Sequence, residues 1–154
     1  MNSPGPVRVL VICWGNSARS ILAEALLRHH GGAAFEVQSA GVEPKGVNPL
    51  TERVLDEVGL EHGWARSKPL TEFVGQPFDY VITVCDDARE ACPTFPGHPE
   101  TLHWGYEDPA RAEGSEEERL AAFRSTLAMM APRIESFVAS ARREAIARRA
   151  ETHG

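Results

Sequence analysis

Val7-Arg8-Val9-Leu10-Val11-Ile12-Cys13-Trp14-Gly15-Asn16-Ser17-Ala18-Arg19-Ser20 is the stretch on which the reading of this chain turns. Val7 to Ile12 is a β-branched, apolar run of the kind that forms a buried parallel strand. Beyond the loop, Ile21 to Arg28 is rich in strong helix formers, and Gly31-Gly32 stop the helix. The intervening segment places a thiol and a guanidinium at Cys-x5-Arg spacing where a strand becomes a helix. A loop held in that way turns backbone N–H groups toward one point, and the helix N-terminus adds partial positive charge there. The expected product is an anion cradle.

Trp14, Gly15, Asn16, Ser17, Ala18, Arg19 and Ser20 are the expected oxyanion-binding residues, and Cys13 the nucleophile at the floor. The amides and Arg19 favour the thiolate, which is the form that attacks an electrophile. Arg19 offers a planar fork of donors suited to two oxygens of a tetrahedral anion. Ser17 or Ser20 is positioned to hydrogen-bond the sulfur, and Asn16 to brace the loop. A purely structural thiol gives no reason for strand, glycine, arginine and helix to arrive in this order.

Working outward, Phe35 to Ser39 reads as a second strand ending in Ala40-Gly41, and Phe78 to Val84 as a third. Thr101 to Trp104 is a short fourth. Between them, a helix from about Pro49 to Val58 is capped by Asn48 and closed by Gly59. Alternating strands and helices predict a single α/β domain with a four-stranded parallel sheet flanked by helices. The expected strand order is 2-1-3-4, with the switch point, where ligands of such sheets bind, beside the first strand. Ser115-Glu116-Glu117-Glu118 forms a capping box for a last helix, whose apolar stripe runs from Leu120 to Val138. Pro132 falls inside that pattern and predicts a kink or a weak point. The stripe ends near Ala141. Residues 1–6 therefore read as a flexible N-terminus, 7–141 as the domain, and 142–154 as a solvated helical end and tail.

With 154 residues and 42% hydrophobic composition, the chain can bury one real core. Its net charge of −6 argues against a nucleic-acid surface, but not against an anionic ligand, because salt screens distant charge while the loop acts at contact. No signal-like or membrane-spanning run occurs, so the expected compartment is the cytoplasm, where thiols stay reduced. Three cysteines there suggest chemistry. Cys85 closes the third strand and Cys92 follows at Cys-x6-Cys spacing. With the first and third strands as neighbours, Cys13 and Cys85 come within disulfide reach after a modest loop movement. The segment between Cys85 and Cys92 suits a short helix that has to unwind for those two sulfurs to meet.

The loop, with Ser20 and the Ala23-Glu24 pair, resembles the low-molecular-weight protein tyrosine phosphatase superfamily, and within it the arsenate reductases. The similarity continues through Ser39-Ala40-Gly41, Arg66-Ser67, Asp79 to Asp86, and His103-Trp104-Gly105-Tyr106-Glu107-Asp108-Pro109, spanning residues 7–138. The resemblance implies arsenate as substrate and Cys13, Arg19, Cys85, Cys92 and Asp108 as catalytic residues. It further implies a phosphatase-like fold, a disulfide passed along the three cysteines, and thioredoxin or a similar disulfide reductase as partner. It calls for no cofactor, metal, membrane or nucleic acid, and for a monomer. In the family an aspartate of the Asp-Pro pair protonates the leaving oxygen, which assigns that role to Asp108; a turn residue before proline is the plainer reading. Three rivals stay open: a tyrosine phosphatase using Cys13, Arg19 and Asp108, a reductase resolved by a small thiol such as mycothiol, and a non-enzymatic oxyanion binder or redox sensor.

Two departures from the family pattern stand out. Trp14 replaces the usual small residue at the loop mouth. Lys68 stands where the potassium-binding branch has an acidic residue, so its ammonium is expected to replace the cation near Asn16 and Glu24. The histidines show no metal-ligand spacing: His29-His30 suit a helix C-terminus, and His103 a satisfied sheet position.

Overall fold

Strand β1 (Val7–Cys13) is buried along its whole length except at Arg8, as its unbroken apolar run requires of a central strand covered on both faces. In the computed structural model, which describes residues 5–86, 95 and 100–153, it is followed by helix α1 (Arg19–Gly31) and strand β2 (Phe35–Gly41). Helix α2 (Pro49–Glu57), strand β3 (Tyr80–Thr83), strand β4 (Glu100–His103) and helix α3 (Glu116–His153) complete the order.

All pairings are parallel and the sheet order is β2-β1-β3-β4, as the sequence predicts. Cys13 lies opposite Gly41 on one side, while Ile12 pairs with Thr83 on the other. The alternation of β1 sorts the core into two faces. Val9, Val11 and Cys13 face the large cluster that includes Leu22, Leu27, Phe123, Met130 and Ile134. Leu10 and Ile12 face a smaller one with Phe73, Phe78 and Val81. Burying each such side chain contributes about 1.5–3 kcal/mol, so the strand that carries Cys13 is anchored from both sides.

The local signals are where the sequence put them. Asn48 Oδ1 accepts the Leu50 N–H at 2.9 Å. Ser115 and Glu118 exchange the two bonds of a capping box, at 3.1 and 3.2 Å. Strand β3 is shorter than its apolar run; just ahead of it Asp79 binds Arg8 through both its side chain and its own N–H, each at 2.8 Å. Helix α3 runs unbroken through Pro132. Pro132 and Ala128 both lie on the exposed face, so the carbonyl that proline leaves without its N–H is open to solvent. The end of the apolar stripe at Ala141 is not the end of tertiary contact. Arg142 donates to the carbonyls of His30 and Gly31 at 3.2 and 2.7 Å, capping α1, and Tyr80 donates to Glu144.

Candidate active site

Residues Cys13 to Arg19 connect β1 to α1, and the loop is held from outside by its carbonyls. Trp14 O accepts from Glu43 N, Gly15 O from Lys45 N, and Ser17 O from Asn48 N, each at 3.0 Å. Ser67 Oγ and Thr51 Oγ1 add bonds to Gly15 O and Ser17 O at 3.2 and 2.9 Å. In a trans peptide the N–H points opposite to the C=O. Carbonyls directed outward therefore aim the amides inward, and Asn16 N–H meets Cys13 Sγ at 3.3 Å. The loop packs so tightly against β2 that a Cβ at Gly41 would stand 2.7 Å from Trp14 O and 2.8 Å from Asn16 N. Only glycine fits there.

Asn16 is fully buried with φ of 46°, a left-handed conformation that asparagine tolerates better than most residues. Its Oδ1 accepts the Lys68 backbone N–H at 2.8 Å, and since that group can only donate, the amide orientation is fixed. The Nδ2 then donates to Ser20 Oγ at 2.7 Å and to Ser39 Oγ at 2.9 Å. Ser39 passes its own hydrogen to Glu24 at 2.5 Å. By the same logic Ser20 has its O–H available for Cys13 Sγ, 2.9 Å away. The amide thus directs a hydroxyl proton at the sulfur, an arrangement that suits a thiolate. Of the two serines proposed from the sequence, Ser20 is the one on the sulfur.

Arg19 is 3% exposed, and its Nη1 donates to Tyr106 O at 3.1 Å, which fixes the plane of the guanidinium. Nη2 lies 3.8 Å from Asp108 Oδ2. Asp108 makes the turn of the plainer reading and also lines the cavity beside Arg19. Oδ1 accepts Ala110 N–H at 2.9 Å in a turn, and Oδ2 is left facing Arg19. Cys13, Trp14, Gly15, Ser17, Ala18, Arg19 and Asp108 line one cavity of about 530 Å³, with Lys45, Ala110 and Arg111 at its edge. Asn16 and Ser20 brace the loop from behind.

Cys85 is fully buried two residues beyond Thr83, its Sγ 4.0 Å from the carbonyl oxygen of Ile12, the residue before Cys13. Cys92 lies outside the described residues, as does most of the segment that leads to it. Trp104 and Tyr106 stand away from the cavity: Trp104 packs edge-on to Phe137 at 5.4 Å, and the Arg133 guanidinium lies 5.7 Å from both rings. The aromatic side chain on the cavity wall is Trp14. His103 Nδ1 bonds Thr83 Oγ1 at 2.7 Å, a satisfied sheet contact. Among the described residues no cluster of histidine, cysteine and carboxylate side chains could hold a metal, and no helix is long and apolar enough to cross a membrane.

Behind the cradle, Glu24 is fully buried and Lys68 3% exposed. Burial pushes the Glu24 carboxyl above its ordinary range, against the opposing pull of Ser39, Lys68 and Arg28. Burial likewise pushes the Lys68 ammonium down, opposed chiefly by Glu24. Arg28 Nη2 closes the group at 2.7 Å from Glu24. The Lys68 ammonium acts on Glu24 through its charge, while Nζ donates to Arg66 O at 2.9 Å. Sequence reasoning missed Lys45 and Arg111 at the cavity edge and the hydrogen-bonding part of Ser39. Only three-dimensional placement distinguishes them from ordinary surface and strand residues.

A doubly covered parallel sheet with a Cys-x5-Arg anion cradle at its switch point defines a class of cysteine-nucleophile oxyanion proteins. The chain belongs to the low molecular weight phosphotyrosine protein phosphatase family, whose model matches residues 8–148. The arsenate reductase of Halalkalibacterium halodurans is 37% identical over 129 residues, 84% of this chain and 93% of that protein. Among solved structures, the arsenate reductase of Archaeoglobus fulgidus superposes with a TM-score of 0.72 at 30% identity, covering 85% of this chain and 98% of the other. A thioredoxin-dependent arsenate reductase of Corynebacterium glutamicum gives 0.60 at 34% identity, covering 88% of this chain and 64% of that one.

Proposed function

We propose that the protein reduces arsenate to arsenite through a three-cysteine relay regenerated by thioredoxin. Arsenate enters the cradle, where the inward amides and the Arg19 fork bind its oxygens. The Cys13 thiolate attacks arsenic(V), and Asp108 Oδ2 gives its proton to the departing oxygen, which leaves as water. Cys85 thiolate then attacks Cys13 Sγ. The sulfur–sulfur bond forms as the sulfur–arsenic bond breaks, its electron pair stays on arsenic, and arsenic(III) leaves as arsenite. Cys92 thiolate attacks Cys85 Sγ in turn, which moves the disulfide to Cys85–Cys92 and restores the Cys13 thiolate. A reduced thioredoxin supplies two electrons and two protons to reopen that disulfide. No step calls on a metal or an organic cofactor.

The observation that carries this reading is the second thiol. Cys85 Sγ is buried against the Ile12 carbonyl at the root of the nucleophile loop, and a phosphatase has no use for a thiol there. Full burial also gives a third cysteine a purpose, since a protein reductant cannot reach Cys85 where it lies. We place the enzyme in the cytoplasm, where the relay's thiols would stay reduced, and as a monomer. Thioredoxin oxidation followed on addition of arsenate, beside hydrolysis of p-nitrophenyl phosphate, separates the readings. Arsenate-dependent oxidation with weak hydrolysis is expected. Hydrolysis alone points to a phosphatase, arsenite release only with a small thiol to a mycothiol-type enzyme, and neither activity to a binder or sensor.

A further inference from the structure

The cradle occupies only the floor of its cavity. Beyond the loop, Lys45, Ala110 and Arg111 line the same cavity, and among the described lining residues Asp108 is the one carboxylate. Lys45 is built into this position. Its N–H is bonded to Gly15 O at 3.0 Å, and its stem lies across the loop so closely that a Cβ on Gly15 would stand 3.1 Å from Lys45 Cδ. Arg111 is set by the turn that Asp108 starts, its N–H bonded to Asp108 O at 3.0 Å. Both side chains are exposed and both face the cavity that holds Cys13.

We propose that Lys45 and Arg111 form an outer pair of cations that captures the oxyanion before it reaches the cradle, and so sets the affinity for substrate without entering the chemistry. The chain carries −6 overall, which opposes the approach of an anion. Screening confines that repulsion to within a Debye length, about 8 Å at physiological salt, so two cations at the mouth dominate the last part of the path. Neither residue is a catalytic residue, because the floor is already furnished by the amides and Arg19. Both are specificity-determining residues for anion entry.

The proposal rests on the reading of the site as an oxyanion cradle, and it can be tested without any turnover. Calorimetry of inorganic phosphate binding to the reduced protein, at about 0.02 M and about 1 M salt, is compared for wild type, Lys45→Met, Arg111→Gln and the double variant. Each single change should weaken phosphate binding by about threefold at low salt, and both together by about tenfold, the size expected of exposed charges acting independently. The differences should shrink to less than about twofold at high salt, and Lys45→Arg should restore wild-type binding. In the arsenate assay the same variants should raise KM by like factors and leave kcat unchanged. Unchanged phosphate affinity at low salt overturns the proposal. So does a loss that persists at high salt or resists Lys45→Arg, because packing rather than charge would then be at work, and so does a fall in kcat with KM intact. Wild type that binds phosphate with the expected salt and variant dependence but does not oxidise thioredoxin with arsenate leaves this proposal standing and removes the reductase reading.

Discussion

Asn16→Ala probes the point where fold and chemistry meet. The substitution leaves the buried Lys68 backbone N–H without its acceptor, now 2.8 Å away, which costs about 1–3 kcal/mol. Alanine at a φ of 46° adds about 1 kcal/mol. Losing the two Nδ2 bonds to Ser20 and Ser39 adds about 1 kcal/mol, part of it recovered as the hydroxyls turn to each other. The sum is about 3–5 kcal/mol, a large part of the 5–15 kcal/mol typical of a domain. Chemistry suffers separately, because Ser20 loses the donor that directs its own hydrogen to Cys13 Sγ. One charge-assisted bond is worth about 1.5–3 kcal/mol, so single-turnover arsenite release should slow by roughly 10- to 100-fold. Urea unfolding measures the first effect and rapid-quench release of arsenite the second. Asn16→Gly should recover about 1 kcal/mol of stability, by relieving the backbone, and none of the rate. A stability loss below about 1 kcal/mol, or a rate near wild type, would refute the directed network.

Two predictions concern the buried charges behind the loop. Lys68→Met should lower stability by about 1–3 kcal/mol, since Glu24 keeps Arg28 but loses the ammonium; wild-type turnover should be the same in potassium and sodium at matched ionic strength, and marked stimulation by potassium would count against Lys68 as the internal cation. Glu24 has a folded-state pKa above its ordinary value of 4.5, so the unfolded chain ionises first as pH rises. Its contribution to stability is complete below about 4.5 and is lost as pH climbs through the folded value. Urea titrations should therefore show Glu24→Gln gaining on wild type between pH 4 and pH 7, whereas the opposite trend would mean that Arg28 and Lys68 overcome burial.

The fold was legible because its determinants are local. The apolar run of β1, the Asn48 cap and the Ser115 capping box act within a few residues, and parallel topology follows from strands alternating with helices. The cradle was legible for the same reason, since strand, loop and helix N-terminus are contiguous from Val7 to Ser20. What escaped depends on distant parts of the chain meeting. Lys45 reaches the cavity because β2 lies beside β1, and Arg111 because the turn after β4 returns to the same rim. Arg142 caps α1 from 111 residues away. Trp104 and Tyr106 follow β4 in sequence, yet both rings lie by Arg133 of α3, and Trp104 packs on Phe137 there.

The central claim is that oxidising equivalents travel from Cys13 to Cys85 to Cys92, and the Cys92→Ser variant tests it most directly. Reduced protein is mixed with excess arsenate and thioredoxin, arsenite is counted per enzyme, and the disulfides are mapped by mass spectrometry. With Cys92 absent, the account predicts a single burst of about one arsenite per enzyme, followed by a stalled Cys13–Cys85 disulfide. Sustained turnover of Cys92→Ser with thioredoxin would contradict it.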